Sequence, residues 1–262
     1  MGRVYLVGAG PGAPDLLTLR AARILERADI VFHDALVHPE VLALASRARI
    51  VPVGKRCSQI STDQRFINRN LVEAAQRHEV VVRLKGGDPM LFGRAQEEID
   101  ALTAHGIECE VVPGVTAALG ASAELGVSLT RRGVSRSVVF ATPRIGKEQD
   151  DDARGGWAHA VAAADTAVLY MSRGEAPQVV AALRAAGLSA DHPAAIIESA
   201  SLPQTRRLRC TLEQLPAQAA QTSSGPALVI LGKVLAGAVA ESTPSTADNS
   251  WDSATSAKAG AL

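Results

Sequence analysis

Two glycine-rich turns carry much of the chemistry-bearing potential of this 262-residue chain. One is Val7-Gly8-Ala9-Gly10-Pro11-Gly12-Ala13-Pro14-Asp15, and the other is Leu84-Lys85-Gly86-Gly87-Asp88-Pro89-Met90-Leu91-Phe92-Gly93-Arg94. Each joins an apolar run to a helix-like run, and glycine lets the backbone approach a small ligand with no Cβ in the way. Asp34 follows the apolar run Ile30–His33, which puts it at the carboxyl end of a strand, where open α/β sheets hold their ligands. A carboxylate there can accept a proton. Arg94, Arg131, Arg132, Arg136 and Arg144 supply guanidinium forks of the kind that grip carboxylates.

Each feature also has a plainer reading. Gly8-x-Gly10-x-Gly12 with Asp34 downstream suggests a dinucleotide site, but its spacing misses G-x-G-x-x-G and Pro11 offers no N–H. Asp88 suits a helix N-cap and Pro89 the first helical position, so the second turn could simply begin a helix over 89–105. Met171 ends an apolar run and could be core, and the arginines could form a solvated face. Gly54-Lys55 is followed by Arg56, which excludes a phosphate loop.

The elements that must position these residues alternate. Strands are expected at Arg3–Gly8, Ile30–His33, Arg49–Val53, Val80–Leu84 and Cys109–Val112, with helices at Asp15–Ala28, Pro39–Ser46, Asp63–His78 and Pro89–His105. The strands read as continuous apolar runs, as in a mainly parallel sheet buried on both faces. After Pro113-Gly114 a helix at Val115–Leu125 opens a second alternation, with strands at Ser137–Ala141, Ala167–Met171, Ala194–Glu198, Arg206–Cys210 and Ala227–Leu231. Helices are expected near Gly156–Ala164, Ala176–Ala186 and Leu212–Gln221. The division is an α/β domain over 1–114, another over 115–240, and a disordered tail over 241–262. The polar stretch Gly146–Gly156 reads as an exposed loop.

Composition excludes several classes. A formal net charge of zero disfavours a broad surface for nucleic acid, which needs many cationic contacts. Cys57, Cys109 and Cys210 fall in no metal or redox spacing, and the histidines form no H-E-x-x-H pattern, so no metal site is expected. A strand-like run begins at once after Met1-Gly2-Arg3 and no apolar run is long enough to span a membrane, so a cytoplasmic protein with no membrane partner is expected.

Taken in order, these motifs resemble the tetrapyrrole methylase family over about residues 4–237. The likeness rests on Val7–Thr18, His33-Asp34-Ala35-Leu36-Val37, Val53-Gly54-Lys55-Arg56, Arg83–Pro89, Phe92-Gly93-Arg94, Glu97-Glu98, Pro113-Gly114-Val115-Thr116-Ala117, Leu129-Thr130 and Tyr170-Met171. The resemblance implies two α/β domains with S-adenosylmethionine in the cleft between them, a homodimer, and transfer of two methyl groups to a small-molecule tetrapyrrole. It assigns cofactor contacts to Pro11, Gly86, Gly87, Asp88, Leu91, Thr116, Ala117, Met171, Ala200 and Ala227. It makes Asp34 a candidate proton acceptor and Lys55 a candidate donor, and places Arg94 and Glu97 toward the substrate; Arg131, Arg132 and Arg144 are further candidate carboxylate contacts by their guanidinium chemistry. The chain departs from the commonest family pattern at Arg131, Arg144 and Ile60, where the family usually has His, and at Ala95-Gln96, where it has Gly-Gly. Loss of these histidines removes groups that titrate near neutral pH.

Overall fold

A computed structural model of the chain describes residues 1–54, 64–143, 156–223 and 225–236. Apolar runs build two five-stranded sheets. The first has the order β3-β2-β4-β1-β5, formed by β1 (Arg3–Gly8), β2 (Ile30–His33), β3 (Arg49–Pro52), β4 (Val80–Lys85) and β5 (Cys109–Val112). All its pairings are parallel, so the carboxyl ends of the strands share one edge.

Alternation along each strand sends side chains to two covered faces. Val4, Leu6, Phe32 and Val81 pack against α3 (Gln64–Ala75) and α4 (Ala95–Ala104). Tyr5, Val7, Val31, Val82 and Leu84 pack against α1 (Leu19–Glu26) and α2 (Pro39–Ala43). The chain leaves β1 toward α1 on one face and β4 toward α4 on the other. The gap between β1 and β4 is therefore the point where strand order reverses, the position of the ligand crevice in open α/β sheets.

The second sheet has the order β6-β7-β10-β8-β9, from β6 (Val138–Ala141), β7 (Thr166–Tyr170), β8 (Pro193–Glu198), β9 (Arg206–Thr211) and β10 (Ala227–Gly232). Only β6–β7 is a parallel pair; the other three pairings are antiparallel. Residues of α6 (Gly156–Ala163), α7 (Ala176–Ala185) and α8 (Leu215–Ala220) cover one face. The other face receives α5 (Ala117–Leu125) through Ala118, Ala121 and Leu125, which pack with Val168, Ala195, Ile197 and Ile230.

The expected helix over 89–105 is corrected at its start. Asp88 does not cap α4: its Oδ1 accepts from Met90 N at 2.8 Å and its Oδ2 from Gly114 N at 2.9 Å, so it ties one crevice loop to another. The helix begins at Ala95, with Arg94 at its N-cap in the left-handed region, φ 54°. Residues 86–94 thus remain a free-standing turn. The expected loop at 146–155 and the tail at 241–262 lie outside the described residues.

Candidate functional site

Both glycine turns leave the sheet at the switch point and join there. Gly87 N donates to Gly10 O at 2.8 Å, and Gly10 N donates to Gly87 O at 3.2 Å, an isolated antiparallel bridge between the two loops. Gly8 and Gly114 pass so closely that a Cβ on Gly8 would lie 2.6 Å from Gly114 Cα, so neither tolerates a side chain. Gly87 differs. Its φ of +67° requires glycine, yet an added Cβ would meet only Ala117 N at 3.7 Å and Thr116 Cα at 3.9 Å. Conformation, not crowding, selects glycine here, since both neighbours stand at ordinary van der Waals distance.

The second sheet closes the other wall. Tyr170, at the end of β7, shares a 2.6 Å hydrogen bond with Thr116 Oγ1, accepts from Ala118 N at 3.2 Å, and packs its ring 5.0 Å from that of Phe92. Burial pushes its phenol pKa up, the hydrogen bonds from Thr116 and Ala118 oppose this, and the Asp88 charge adds to it. Ala13 N donates to Ser201 Oγ at 3.0 Å, and Pro11 packs against Gly120. The crevice is therefore bounded by segments 9–13, 86–94, 113–118, 170–171 and 199–202. Among the described residues, the non-glycine residues with positive φ, Phe92, Arg94, Met171, Ser199 and Ser201, all fall on these segments. Such strained backbone persists where surrounding contacts over-determine it, commonly at ligand clamps.

Of the residues the sequence marks for a cofactor, Pro11, Gly86, Gly87, Asp88, Leu91, Thr116, Ala117, Met171 and Ala200 all lie on these segments. Ala227 begins β10, paired with Glu198 beside the 199–202 turn. Asp34 sits one strand away, with its side chain 29% exposed. Its Oδ1 accepts from Arg83 Nη2 at 2.5 Å. Gly54 packs on its backbone, since a Cβ there would lie 2.5 Å from Ala35 N and 2.8 Å from Asp34 Cα. Arg94 and Glu97 form an exposed two-pronged pair, with Nε–Oε1 and Nη2–Oε2 both 2.7 Å. Lys55 and Arg144 lie outside the described residues.

Among the described residues, the arginines do not converge. Arg131 and Arg132 lie exposed on a turn closed by Arg131–Ser135 backbone bonds, and Ser135 Oγ meets Thr166 Oγ1 at 2.9 Å. That is the amino end of β7, whereas Tyr170 and Met171 are at its carboxyl end, about 13 Å away at ~3.3 Å per residue.

Sequence reasoning gave no role to Arg83, Lys85, Glu98 or Tyr170. The first three are buried and linked: Glu98 accepts from Arg83 Nε at 3.0 Å, from Lys85 Nζ at 3.1 and 3.2 Å, and from Gln64 Nε2 at 3.1 Å. A usable signal was present, because Arg83 and Lys85 sit two apart on one face of a strand that is otherwise apolar. Burial pulls the Lys85 pKa down and the Arg83 charge adds to this, with Glu98 and Asp34 offsetting part of it. For Arg83 burial works the same way, but Asp34 and Glu98 outweigh it and the pKa is raised.

A backbone crevice at the switch point of a parallel sheet, beside a second mixed sheet, defines a two-sheet α/β protein. The family model for Tetrapyrrole (Corrin/Porphyrin) Methylases matches residues 3–216, and the chain belongs to that family. A uroporphyrinogen-III C-methyltransferase from Pseudomonas aeruginosa is 43% identical over 234 residues, covering 89% of this chain and 94% of that protein. A siroheme synthase from Pseudomonas paraeruginosa is 47% identical over 236 residues, covering 89% of this chain and 50% of that protein, so the chain spans about half the length of such curated relatives. Among solved structures, a uroporphyrin-III C-methyl transferase from Thermus thermophilus complexed with S-adenosylhomocysteine superposes with a TM-score of 0.78 at 40% identity, covering 89% of this chain and 99% of that one. A cobalt precorrin-4 methyltransferase, 24% identical with a TM-score of 0.77 and covering 89% of this chain and 95% of that one, shares the fold. Among the described residues no helix is long and apolar enough to cross a membrane, and no cluster of three or more metal-ligating side chains occurs.

Proposed function

We propose that the chain is an S-adenosylmethionine-dependent uroporphyrinogen-III C-methyltransferase, methylating C-2 and C-7 to give precorrin-2 by way of precorrin-1. The observation that carries this reading is the Gly10–Gly87 bridge, with a left-handed glycine open to a crevice between two sheets, in a chain that matches the methylases over most of its length. The residues present fit the cofactor. The turn at 86–91, Thr116 and Ala117 offer backbone at close range, Pro11, Ala200 and Ala227 offer small walls, and exposed Met90, Phe92 and Met171 offer apolar surface.

Bound S-adenosylmethionine supplies a methyl group on a positively charged sulfur. Apolar walls suit that group better than a paired carboxylate, which would stabilise the charge before transfer and not during it. Asp88 is consistent with this, since both its oxygens are engaged by backbone N–H groups. An electron-rich pyrrole carbon needs little activation, so the chain's main contribution is alignment and exclusion of water. Asp34 accepts a proton from the macrocycle after methylation, and Lys55 is the matching donor. Arg94, now forked to Glu97, can exchange that partner for a substrate carboxylate.

The same reading takes residues 1–114 and 115–240 as domains, and the chain as a cytoplasmic homodimer; equilibrium sedimentation tests the last. Anaerobic incubation with uroporphyrinogen III and S-adenosylmethionine, followed by mass spectrometry, tests the activity. Two added methyl groups are expected. Tight cofactor binding without methylation would instead describe an inactive S-adenosylmethionine-binding protein.

A further inference from the structure

We propose that Arg83 is a positioning residue for Asp34: a buried ion network anchored at Glu98 holds the Asp34 carboxylate in place for proton transfer. The proposal rests on the reading of Asp34 as proton acceptor given above.

Strand geometry explains how the network forms. Arg83 pairs in register with Phe32 of β2, and Asp34 lies two residues beyond Phe32, just past the strand end. The guanidinium rises along the α3/α4 face with Lys85, and only 3% and 4% of these two side chains is exposed. Arg83 then divides its fork. Nη2 donates to Asp34 Oδ1 at 2.5 Å, Nε donates to Glu98 Oε1 at 3.0 Å, and Nη1 donates to Leu84 O at 3.2 Å. Each of the three guanidinium nitrogens makes a hydrogen bond, so the group cannot swing without breaking a buried bond. Glu98 is itself fully buried and held by Lys85 and Gln64, which fixes the far end.

Charge points the same way. The buried part of the network holds two cations, Arg83 and Lys85, against one carboxylate, Glu98. The second carboxylate that balances it is Asp34, which is partly exposed at the crevice edge. Uncompensated buried charge is expensive, so the network ties the Asp34 carboxylate to this point. Oδ1 of Asp34 is thereby fixed from below by Arg83. Glu98 also lies on the helix whose N-cap is Arg94, and Gly93 packs on the Lys85 stem, where a Cβ would approach Lys85 Cε at 3.0 Å. The network therefore sets Asp34 and the Arg94 turn in one frame.

A double-mutant cycle on the full chain tests the proposal, using Asp34→Asn, Arg83→Gln and the pair, with Arg83→Lys as the milder change. Arg83→Gln should lower kcat on the order of 10²-fold, with S-adenosylmethionine affinity and macrocycle KM within about 3-fold of wild type. Asp34→Asn should lose a similar factor. The double variant should lose no more than the worse single one, because a positioning residue has nothing left to position. Arg83→Lys keeps the charge but cannot reach both carboxylates, so kcat should fall between those of wild type and Arg83→Gln; if Arg83→Gln does not fold, the cycle is run with Arg83→Lys. Multiplying losses, or near-normal kcat in a folded Arg83 variant while Asp34→Asn is slow, overturns the positioning role alone. Normal turnover in Asp34→Asn overturns the reading of Asp34, and the proposal with it.

Discussion

Gly87→Val is expected to weaken cofactor binding in a protein that still folds. The residue adopts φ +67°, a region that costs an L-amino acid about 1–2 kcal/mol. No backbone atom stands in the way of the new Cβ, whose nearest neighbours are 3.7 and 3.9 Å away, so the fold can accept it. At about 2–4 °C per kcal/mol, melting should fall by a few degrees. The methyl groups of valine would project into the crevice, and overlap with a bound ligand costs about 1–3 kcal/mol, or roughly 5- to 150-fold in affinity. Gly106 provides the control. It has the same φ of +67°, a Cβ added there would meet nothing within 4 Å, and it follows α4 at the opposite edge of the sheet from the crevice. Gly106→Val should lose the same stability and no affinity. Calorimetry of S-adenosylhomocysteine binding to both variants decides the matter: equal affinities in two folded proteins would refute the placement of the ligand at Gly87.

Arg94→Ala should raise the KM for the macrocycle by an order of magnitude or more, the scale of a charge-assisted contact of about 1.5–3 kcal/mol, whereas Arg131→Ala with Arg132→Ala should change it less than about 2-fold; steady-state kinetics compares them. Burial pushes the thiols of Cys109 and Cys210 up to about 11 from an ordinary 9.0, with Glu98 adding to the first. Their contribution to stability is full below pH 9 and is lost as pH rises toward 11, so denaturant midpoints should fall across that window, and less in a Cys109→Ala, Cys210→Ala variant. Tyr170→Phe removes the phenol that holds Thr116 and Ala118, and should cost about 1–2 kcal/mol in urea unfolding.

Strand positions were legible because buried strands read as unbroken apolar runs, and each expected strand lies within a residue or so of an observed one. Pairing was not. Nothing in Ala194–Glu198 or Ala227–Leu231 states that they run antiparallel, since side-chain alternation is the same in either direction. Asp88-Pro89 read as a helix start because the local cap chemistry is right; a tertiary partner, the N–H of Gly114, takes the carboxylate instead. The crevice loops were visible in the glycines, whose backbone demands show in sequence. The Arg83–Glu98–Asp34 network was not, because residues so far apart in sequence meet only once the sheet has formed. The arginines looked like one cluster by chain proximity, but β7 separates Arg131 and Arg132 from Met171.

Methyl-13C-labelled S-adenosylmethionine, incubated anaerobically with uroporphyrinogen III and the full chain, tests the central claim most directly. Carbon NMR of the product should show two labelled methyl groups, on C-2 and C-7 of the macrocycle, with both signals weakened in Gly87→Val at sub-saturating cofactor. A product carrying label at other ring carbons, or no label while S-adenosylhomocysteine still binds, would contradict the account.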